Sequence, residues 1–202
     1  GPGFCAGHDL KEMRANPGRQ AYEALFAQCA RVMTGIVRLP QPVIARVHGV
    51  AAAAGCQLVA SCDLAVASSA ARFAVNGINI GLFCSTPMVA LSRNVGRKKA
   101  MEMLLTGELL SAEEAEKAGL VNRVVAPEAL DEAVSTLAAT IAGKLGAAVA
   151  IGKEAFYRQA ELGLDEAYRY TAEVMTRNML LRETEAGIDA FIAKRPMPWA
   201  KP

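Results

Sequence analysis

Two short runs of small residues stand out for what they could do to a negatively charged oxygen. The first is Ala6-Gly7-His8-Asp9, where a strand-like stretch breaks into a turn. The second is Gly49-Val50-Ala51-Ala52-Ala53-Ala54-Gly55, where a strand feeds an apolar helix. The first N–H groups of a helix have no internal partner and carry the positive end of its dipole. Small side chains let a ligand oxygen approach them. Two such N–H groups aimed at one point make an oxyanion hole. Tight helix packing selects the same residue types, so composition alone leaves both explanations open.

Five cysteines and two histidines are the other reactive side chains. Cys5, Cys29, Cys56, Cys62 and Cys84, taken with His8 and His48, contain no paired Cys-x-x-Cys. Zinc sites usually declare themselves by that spacing, so small buried cysteines are expected and a metal is not. A thiol nucleophile needs only a base and an oxyanion donor. His48 is available as the base, but no local signature supports the pair. Gly49–Gly55 is not a phosphate loop, because it lacks the Gly-Lys-Ser/Thr ending that reaches phosphates and magnesium.

These residues need elements to position them. Tyr22, Leu25, Phe26, Cys29, Val32, Met33, Ile36 and Val37 recur at three- and four-residue spacing, which predicts a helix over 20–38, stopped by Pro40 and Pro42. Residues 42–48 read as a strand and 50–60 as a helix buried all round. Residues 64–67 and 72–75 are two more short strands. From Thr86 onward the pattern is almost wholly helical, with a last strand within 122–126 and helices over 128–143, 147–162, 164–182 and 183–193. Gly146, Gly163 and Gly187 read as punctuation. Ser111-Ala112-Glu113-Glu114 fits a capping box and Gly119 the matching stop.

The 202 residues suffice to bury a core, and 52% hydrophobic against 21% charged residues exclude a disordered chain. No apolar run approaches the ~20 residues of a membrane helix, and no signal-peptide pattern is visible. The net charge of +2 comes from dispersed Lys and Arg, so neither nucleic acid nor a membrane surface is an expected partner. The odd cysteine count favours a reducing compartment. The opening Gly1-Pro2-Gly3, without Met, reads as the cut edge of a longer chain or as a tag scar.

Several ordered motifs carry a resemblance that covers nearly the whole chain. Phe4-Cys5-Ala6-Gly7-His8-Asp9-Leu10-Lys11-Glu12-Met13 resembles the first signature of the crotonase superfamily, the enoyl-CoA hydratases and isomerases. The stretch from Pro42 to Leu58, then Cys62-Asp63-Leu64-Ala65-Val66-Ala67, resembles the second. Arg72-Phe73-Ala74-Val75, Gly81-Leu82, Leu105-Thr106-Gly107-Glu108 and Ala115 to Val121 continue it in family order.

The resemblance implies an α/β fold, a spiral of β-β-α turns followed by a helical C-terminal region. Its N-terminal β-β-α part is expected to lie outside this sequence. Residues 1–144 would be the truncated crotonase core and 145–202 a helical trimerisation region, giving a homotrimer or hexamer. The backbone N–H groups of His8 and Ala54 would polarise the carbonyl of an acyl-CoA thioester, with the imidazole of His8 incidental. Ala6, Asp9, Leu10 and Lys11 would lie along the coenzyme A path, and Phe191 and Lys194 at its adenine and phosphate end. Coenzyme A would enter as part of the substrate, with no separate cofactor. The location would be bacterial cytoplasm or, in a eukaryote, the mitochondrial matrix.

Two departures from the family pattern bear on activity. The resemblance puts the two hydratase glutamates at Gln57 and Gly77. Glutamine cannot accept and return a proton, and glycine has no side chain. The expected protein is therefore an acyl-CoA binder that keeps the thioester-activating half of the machinery and lacks the proton-moving half. The alternatives are an active hydratase or isomerase of fatty-acid metabolism using Asp9, Asn79 or Cys84, and a non-catalytic regulatory binder. RNA binding, known for one family branch, needs a lysine-rich helix that this sequence lacks.

Overall fold

The computed structural model describes residues 1–200. Contacts divide the chain into two units. The first comprises Gly1–Val37 and Val43–Val134, the second Arg38–Pro42 and Ser135–Pro202.

The first unit is wound from strands that alternate between two sheets. It opens with β1 (Gly3–Cys5), α1 (Leu10–Ala15) and α2 (Arg19–Arg38). Then β2 (Ile44–Val47), β3 (Val50–Ala52) and α3 (Ala54–Ser61) form one turn, and β4 (Leu64–Ser68), β5 (Arg72–Ala74) and α4 (Pro87–Asn94) the next. After α5 (Arg97–Thr106) come β6 (Leu110–Ser111), α6 (Ala112–Lys117), β7 (Arg123–Val125) and the first turn of α7 (Leu130–Ala142), which from Ser135 on is counted in the second unit. One sheet runs β1-β3-β5-β6 and the other β2-β4-β7. Each turn thus gives one strand to each sheet. All pairings are parallel except β5 with β6.

Residue size explains why these strands are so rich in alanine. Ala45 pairs with Ala65 and Val47 with Ala67, and all four are buried. Ala65, Val66 and Ala67 are buried in succession, so β4 is covered on both faces, as parallel strands usually are. Phe73, Leu91 and Met103 fill the wider spaces and are essentially inaccessible. Polar side chains pin the turns. Val43 N–H donates to Asp63 Oδ2 at 2.6 Å, and Ala65 N–H to Asn122 Oδ1 at 2.8 Å. Asn94 Nδ2 donates to the carbonyls of Ala60 and Ala90, each at 2.8 Å.

The expected capping box is formed: Glu114 N–H donates to Ser111 Oγ and Ser111 N–H to Glu114 Oε2. Gly119 follows α6 at φ 83°. Two local expectations fail and one strand is unforeseen. Residues 50–52 form β3 instead of a helix, because both edges of the segment are taken by β1 and β5 and the helix starts only at Ala54. The two-residue β6 is too short for periodicity to signal. Gly187, read as punctuation, lies inside α10 (Arg182–Ile192) without interrupting it, under the indole of Trp199; an added Cβ would come within 2.3 Å of that ring.

The second unit also contains α8 (Gly146–Gln159) and α9 (Leu164–Met179). Arg158 of α8 stacks over the Tyr170 ring of α9 at 4.5 Å. Lys153 Nζ is buried and donates to the Gln41 carbonyl at 2.9 Å. Leu164, Tyr168, Met175, Leu180, Phe191 and Ile192 are exposed.

Burial of Phe73 and the Ser111 box predict a graded stability series. Phe73→Ala should cost about 3–5 kcal/mol and Ser111→Ala about 1 kcal/mol. Urea unfolding checks both, as a lowered midpoint with an unchanged slope.

Candidate functional site

The two small-residue runs meet in space. β1 and β3 are parallel neighbours, so the chain leaves both strands at the same edge of the sheet. After β1, Gly7 takes φ 93°, a left-handed conformation that favours glycine. A Cβ there would stand 3.2 Å from the Ala54 nitrogen and 3.1 Å from the Ala53 Cβ. After β3, Ala53 takes φ 50° and ψ −116°, an uncommon state for a residue with a side chain. Such geometry costs on the order of 1–3 kcal/mol and is held only where its surroundings enforce it. Here the Ala53 N–H is fixed on the Ala74 carbonyl of β5 at 2.9 Å, while its own carbonyl accepts from Gln57 N–H at 3.0 Å. The kink starts α3 directly beside Gly7.

Gly55 completes the junction. A Cβ on it would lie 2.0 Å from the Cys5 carbonyl oxygen, so only glycine lets the β1 exit rest on α3. The Ala54 N–H, at the first position of the eight-residue α3, has no acceptor within the helix. The His8 N–H is one residue beyond the Gly7 contact. The structure therefore brings the His8 and Ala54 segments together, at the positive end of a buried helix.

The residues around this junction have distinct roles. Asp9 caps α1: its Oδ1 accepts from Lys11 N–H at 2.8 Å and Glu12 N–H at 3.2 Å. Ala6, Leu10 and Lys11 are exposed beside it. Gln57 is buried on α3, and its Oε1 lies 3.8 Å from the Cys29 Sγ of α2. Burial pushes the Cys29 thiol up from its ordinary range, with Cys5 adding to the effect. Cys56 is fully enclosed and its thiol is pushed up to about 12 by burial, with Cys84 adding. Neither is poised as a thiolate at neutral pH. None of the five cysteines is in a disulfide. His48 Nε2 lies 3.0 Å from the Gly1 carbonyl. Among the described residues there is no group of three or more His, Cys, Asp or Glu placed to hold a metal.

Gly77 is closed to any side chain. Its N–H donates to Cys84 Sγ at 3.3 Å, and a Cβ would meet Cys84 Sγ at 2.9 Å and the Leu82 carbonyl at 2.3 Å. Its φ is not positive, so the obstacle is space and not backbone conformation. Asn79 Nδ2 donates to the Gly107 carbonyl at 3.4 Å. Phe191 and Lys194 belong to the second unit; Phe191 is exposed and Lys194 lies just beyond α10 at φ 53°.

Sequence reasoning missed the pocket beside the junction. It has a volume of about 290 Å³ and is lined by His8, Asp9, Glu12, Met13, Asn16, Ala21, Tyr22 and Leu25. Tyr22 and Leu25 read as core positions in the helical stripe of α2, yet part of that stripe faces the pocket. The His8 imidazole meets Phe26 of the same stripe edge-on at 5.9 Å. His8 Nε2 is buried with no hydrogen-bond partner. An orphaned polar group of this kind costs about 1–3 kcal/mol. The signal available in the sequence was the coincidence of a polar ring at position 8 with an apolar stripe on the next long helix.

Comparison with known proteins gives the class of the molecule. The sequence model of the enoyl-CoA hydratase/isomerase family matches residues 2–202. The chain belongs to that family and has the crotonase fold. It is 48% identical over 200 residues to mitochondrial enoyl-CoA hydratase domain-containing protein 3 of Rattus norvegicus, covering 99% of this chain and 67% of the relative. It is 50% identical to the Homo sapiens counterpart, covering 99% and 66%. It thus spans about two thirds of the length of these relatives. Among solved structures, an enoyl-CoA hydratase of Mycobacterium smegmatis superposes with a TM-score of 0.97 at 61% identity, covering 98% of this chain and 77% of that one. The human enoyl coenzyme A hydratase domain-containing protein 3 does so at 0.95 and 49%, covering 98% and 79%.

The closure at Gly77 predicts that a second carboxylate cannot be installed there. Gly77→Ala should cost about 1–3 kcal/mol by overpacking, and Gly77→Glu at least as much. The pair Gln57→Glu with Gly77→Glu should unfold at lower urea than Gln57→Glu alone and gain no hydration rate, as urea titration and an enoyl-absorbance assay would report.

Proposed function

We propose that the protein binds acyl-CoA thioesters, with the thioester oxygen held by the peptide N–H groups of His8 and Ala54. The observation that carries this reading is the contact of Gly7 with Ala54, which joins two helix entrances from different signatures into one junction. The positive end of α3 would stabilise negative charge gathered on that oxygen. Coenzyme A enters as part of the substrate and no other cofactor is needed. Ala6, Asp9, Leu10 and Lys11 are exposed and available to the carrier, through the backbone where Asp9 is occupied as a cap. Phe191 and Lys194 are proposed contacts for the adenine and phosphate end, and a copy of this chain is proposed to cover the exposed apolar residues of α9 and α10 in a homotrimer or hexamer. The compartment is taken to be a reducing one, bacterial cytoplasm or mitochondrial matrix.

Hydration needs more than a polarised carbonyl. Water must lose a proton as it adds to the β-carbon, and a proton must reach the α-carbon. Gln57 can orient a water but cannot exchange its proton, and Gly77 offers nothing. We therefore read the chain as a thioester binder with little classical hydratase activity. A second reading has a specific observation behind it: Glu12 lines the pocket next to His8. A carboxylate in that position suits an active enzyme whose acid–base group has moved to α1.

Two measurements test these readings. Ala54→Val puts a β-branched side chain at the helix entrance. It should weaken binding of butyryl-CoA about tenfold, the scale of one hydrogen bond to a charged or polarised acceptor, and weaken free CoA much less. Equal losses would mean that the thioester is not held there. In the second, crotonyl-CoA hydration is followed by loss of the conjugated enoyl absorbance. Each absent acid–base group typically costs ~10²–10⁴ in rate, and losses within one unit do not multiply. The expected rate is lower than that of an ordinary hydratase by about 10³-fold or more. Turnover near ~10 s⁻¹, abolished by Glu12→Gln, would establish the second reading instead.

A further inference from the structure

We propose that Gly187 and Trp199 are positioning residues for Lys194: the indole seated on Gly187 folds residues 195–199 back along α10 and so fixes the lysine for the phosphate at the adenosine end of coenzyme A. This rests on the reading that Lys194 meets that phosphate, and goes beyond it by stating what holds the lysine in place.

Lys194 stands in a conformation that lysine seldom takes. Among the described residues it is one of two non-glycine residues at positive φ, the other being Ala53 at the junction. A left-handed residue just past a helix is ordinarily glycine, which carries no Cβ to clash. The bonds of a Schellman corner accompany it. Arg195 N–H donates to the Ala190 carbonyl at 2.8 Å and Lys194 N–H to that of Phe191 at 3.1 Å. Lysine at this corner therefore carries strain that glycine would avoid, and strained residues of this kind gather where their geometry is used. A cation at a helix C-terminus also complements the dipole, but Arg195 offers that charge one position further on.

The corner is held from beyond by residues that otherwise lack a reason. Glycine inside a helix is unfavourable relative to alanine, yet Gly187 lies inside α10, and a Cβ there would stand 2.3 Å and 2.7 Å from atoms of the Trp199 ring. The missing side chain is the seat of the indole. Between corner and seat run Arg195-Pro196-Met197-Pro198. Each proline fixes its own φ and steers the residue before it toward extended backbone, so the segment is a stiff bracket. Ala200 N–H donates to the Met197 carbonyl at 2.9 Å and closes a turn around Trp199. Trp199 is half-buried while Lys194 is exposed. With its backbone anchored on both sides, the lysine has less freedom to lose when it grips an anion, and preorganisation of this kind strengthens binding.

Calorimetry with CoA and 3′-dephospho-CoA on the whole protein tests the proposal, because the two ligands differ by that one phosphate. The unaltered protein should prefer CoA about tenfold, the scale of one hydrogen bond between charged groups, and Lys194→Ala should abolish the preference. Trp199→Ala should reduce it to about threefold, since lost preorganisation weakens a contact without removing it. Trp199→Phe keeps a flat ring and should restore most of it. Gly187→Ala should act like Trp199→Ala, and the emission of Trp199, the one tryptophan of the sequence, should shift to the red as the ring is lifted into water. An unshifted emission in Gly187→Ala overturns the seating of the indole. Equal weakening of both ligands in Trp199→Ala would mean that the bracket serves stability alone, and the proposal falls. It also falls, with the Lys194 reading intact, if the preference is lost in Lys194→Ala but unchanged in Trp199→Ala. If the unaltered protein shows no preference, or Lys194→Ala retains it, the Lys194 reading itself is wrong and takes the proposal with it.

Discussion

The absence of a side chain at Gly7 and Gly55 is the constraint on which the site depends. Two backbone segments, one leaving β1 and one entering α3, are pressed together until the Cys5 carbonyl occupies the place of a Gly55 Cβ. Any larger residue at position 55 would hold the segments apart and separate the His8 and Ala54 peptides. The strained Ala53 is the counterpart of this closeness. It turns the chain abruptly, and the helix N-terminus reaches the junction without an intervening loop. Hydrogen bonds from Ala53 to Ala74 and from Gln57 to Ala53 keep the kink in place by tying it to β5 and to the body of α3.

The architecture around the junction follows from the same economy of side-chain size. Strands that alternate between two sheets leave little room between layers, and alanine at 45, 51, 65, 67 and 74 matches that spacing. Space is filled by few large residues, chiefly Phe73, Leu91 and Met103. The core is consequently defined by close backbone approach more than by aromatic packing, in line with the chain's 5% aromatic content. At Gly77 the same tightness has a chemical outcome. The Leu82 carbonyl and the Cys84 sulfur stand where a side chain at position 77 would begin, so the packing of the 77–84 turn admits none.

Much of this is legible in the sequence. The stripe from Tyr22 to Val37 specified α2 almost to the residue, and Ser111 with Glu114 specified the start of α6. The family motifs located both segments of the junction. Other features rest on contacts between residues distant in sequence, which local patterns do not encode. Residues 50–52 carry no strand signature of their own and are strand only because β1 and β5 flank them. Gly187 looks like punctuation in the sequence because its partner, Trp199, follows the helix instead of lying within it. The pocket stayed hidden because Tyr22 and Leu25 obey the same periodicity as buried residues. The orphaned nitrogen of His8 is a statement about what is missing around an atom, and no spacing rule reports an absence.

The parallel pairing of the strands also bears on the order in which the chain finds its shape. β2 meets β4 and β3 meets β5 across a single coil of the spiral, Ile44 with Leu64 and Val50 with Arg72. β1 meets β3, and β4 meets β7, only across much longer stretches, Gly3 with Val50 and Val66 with Arg123. Loop closure costs more entropy as the intervening chain lengthens, and non-local pairing slows folding. The inner coil between residues 44 and 74 is therefore the natural nucleus, on which the outer strands condense. The junction of His8 with Ala54 forms only when β1 arrives on that finished coil, so the site is among the last parts of the first unit to exist.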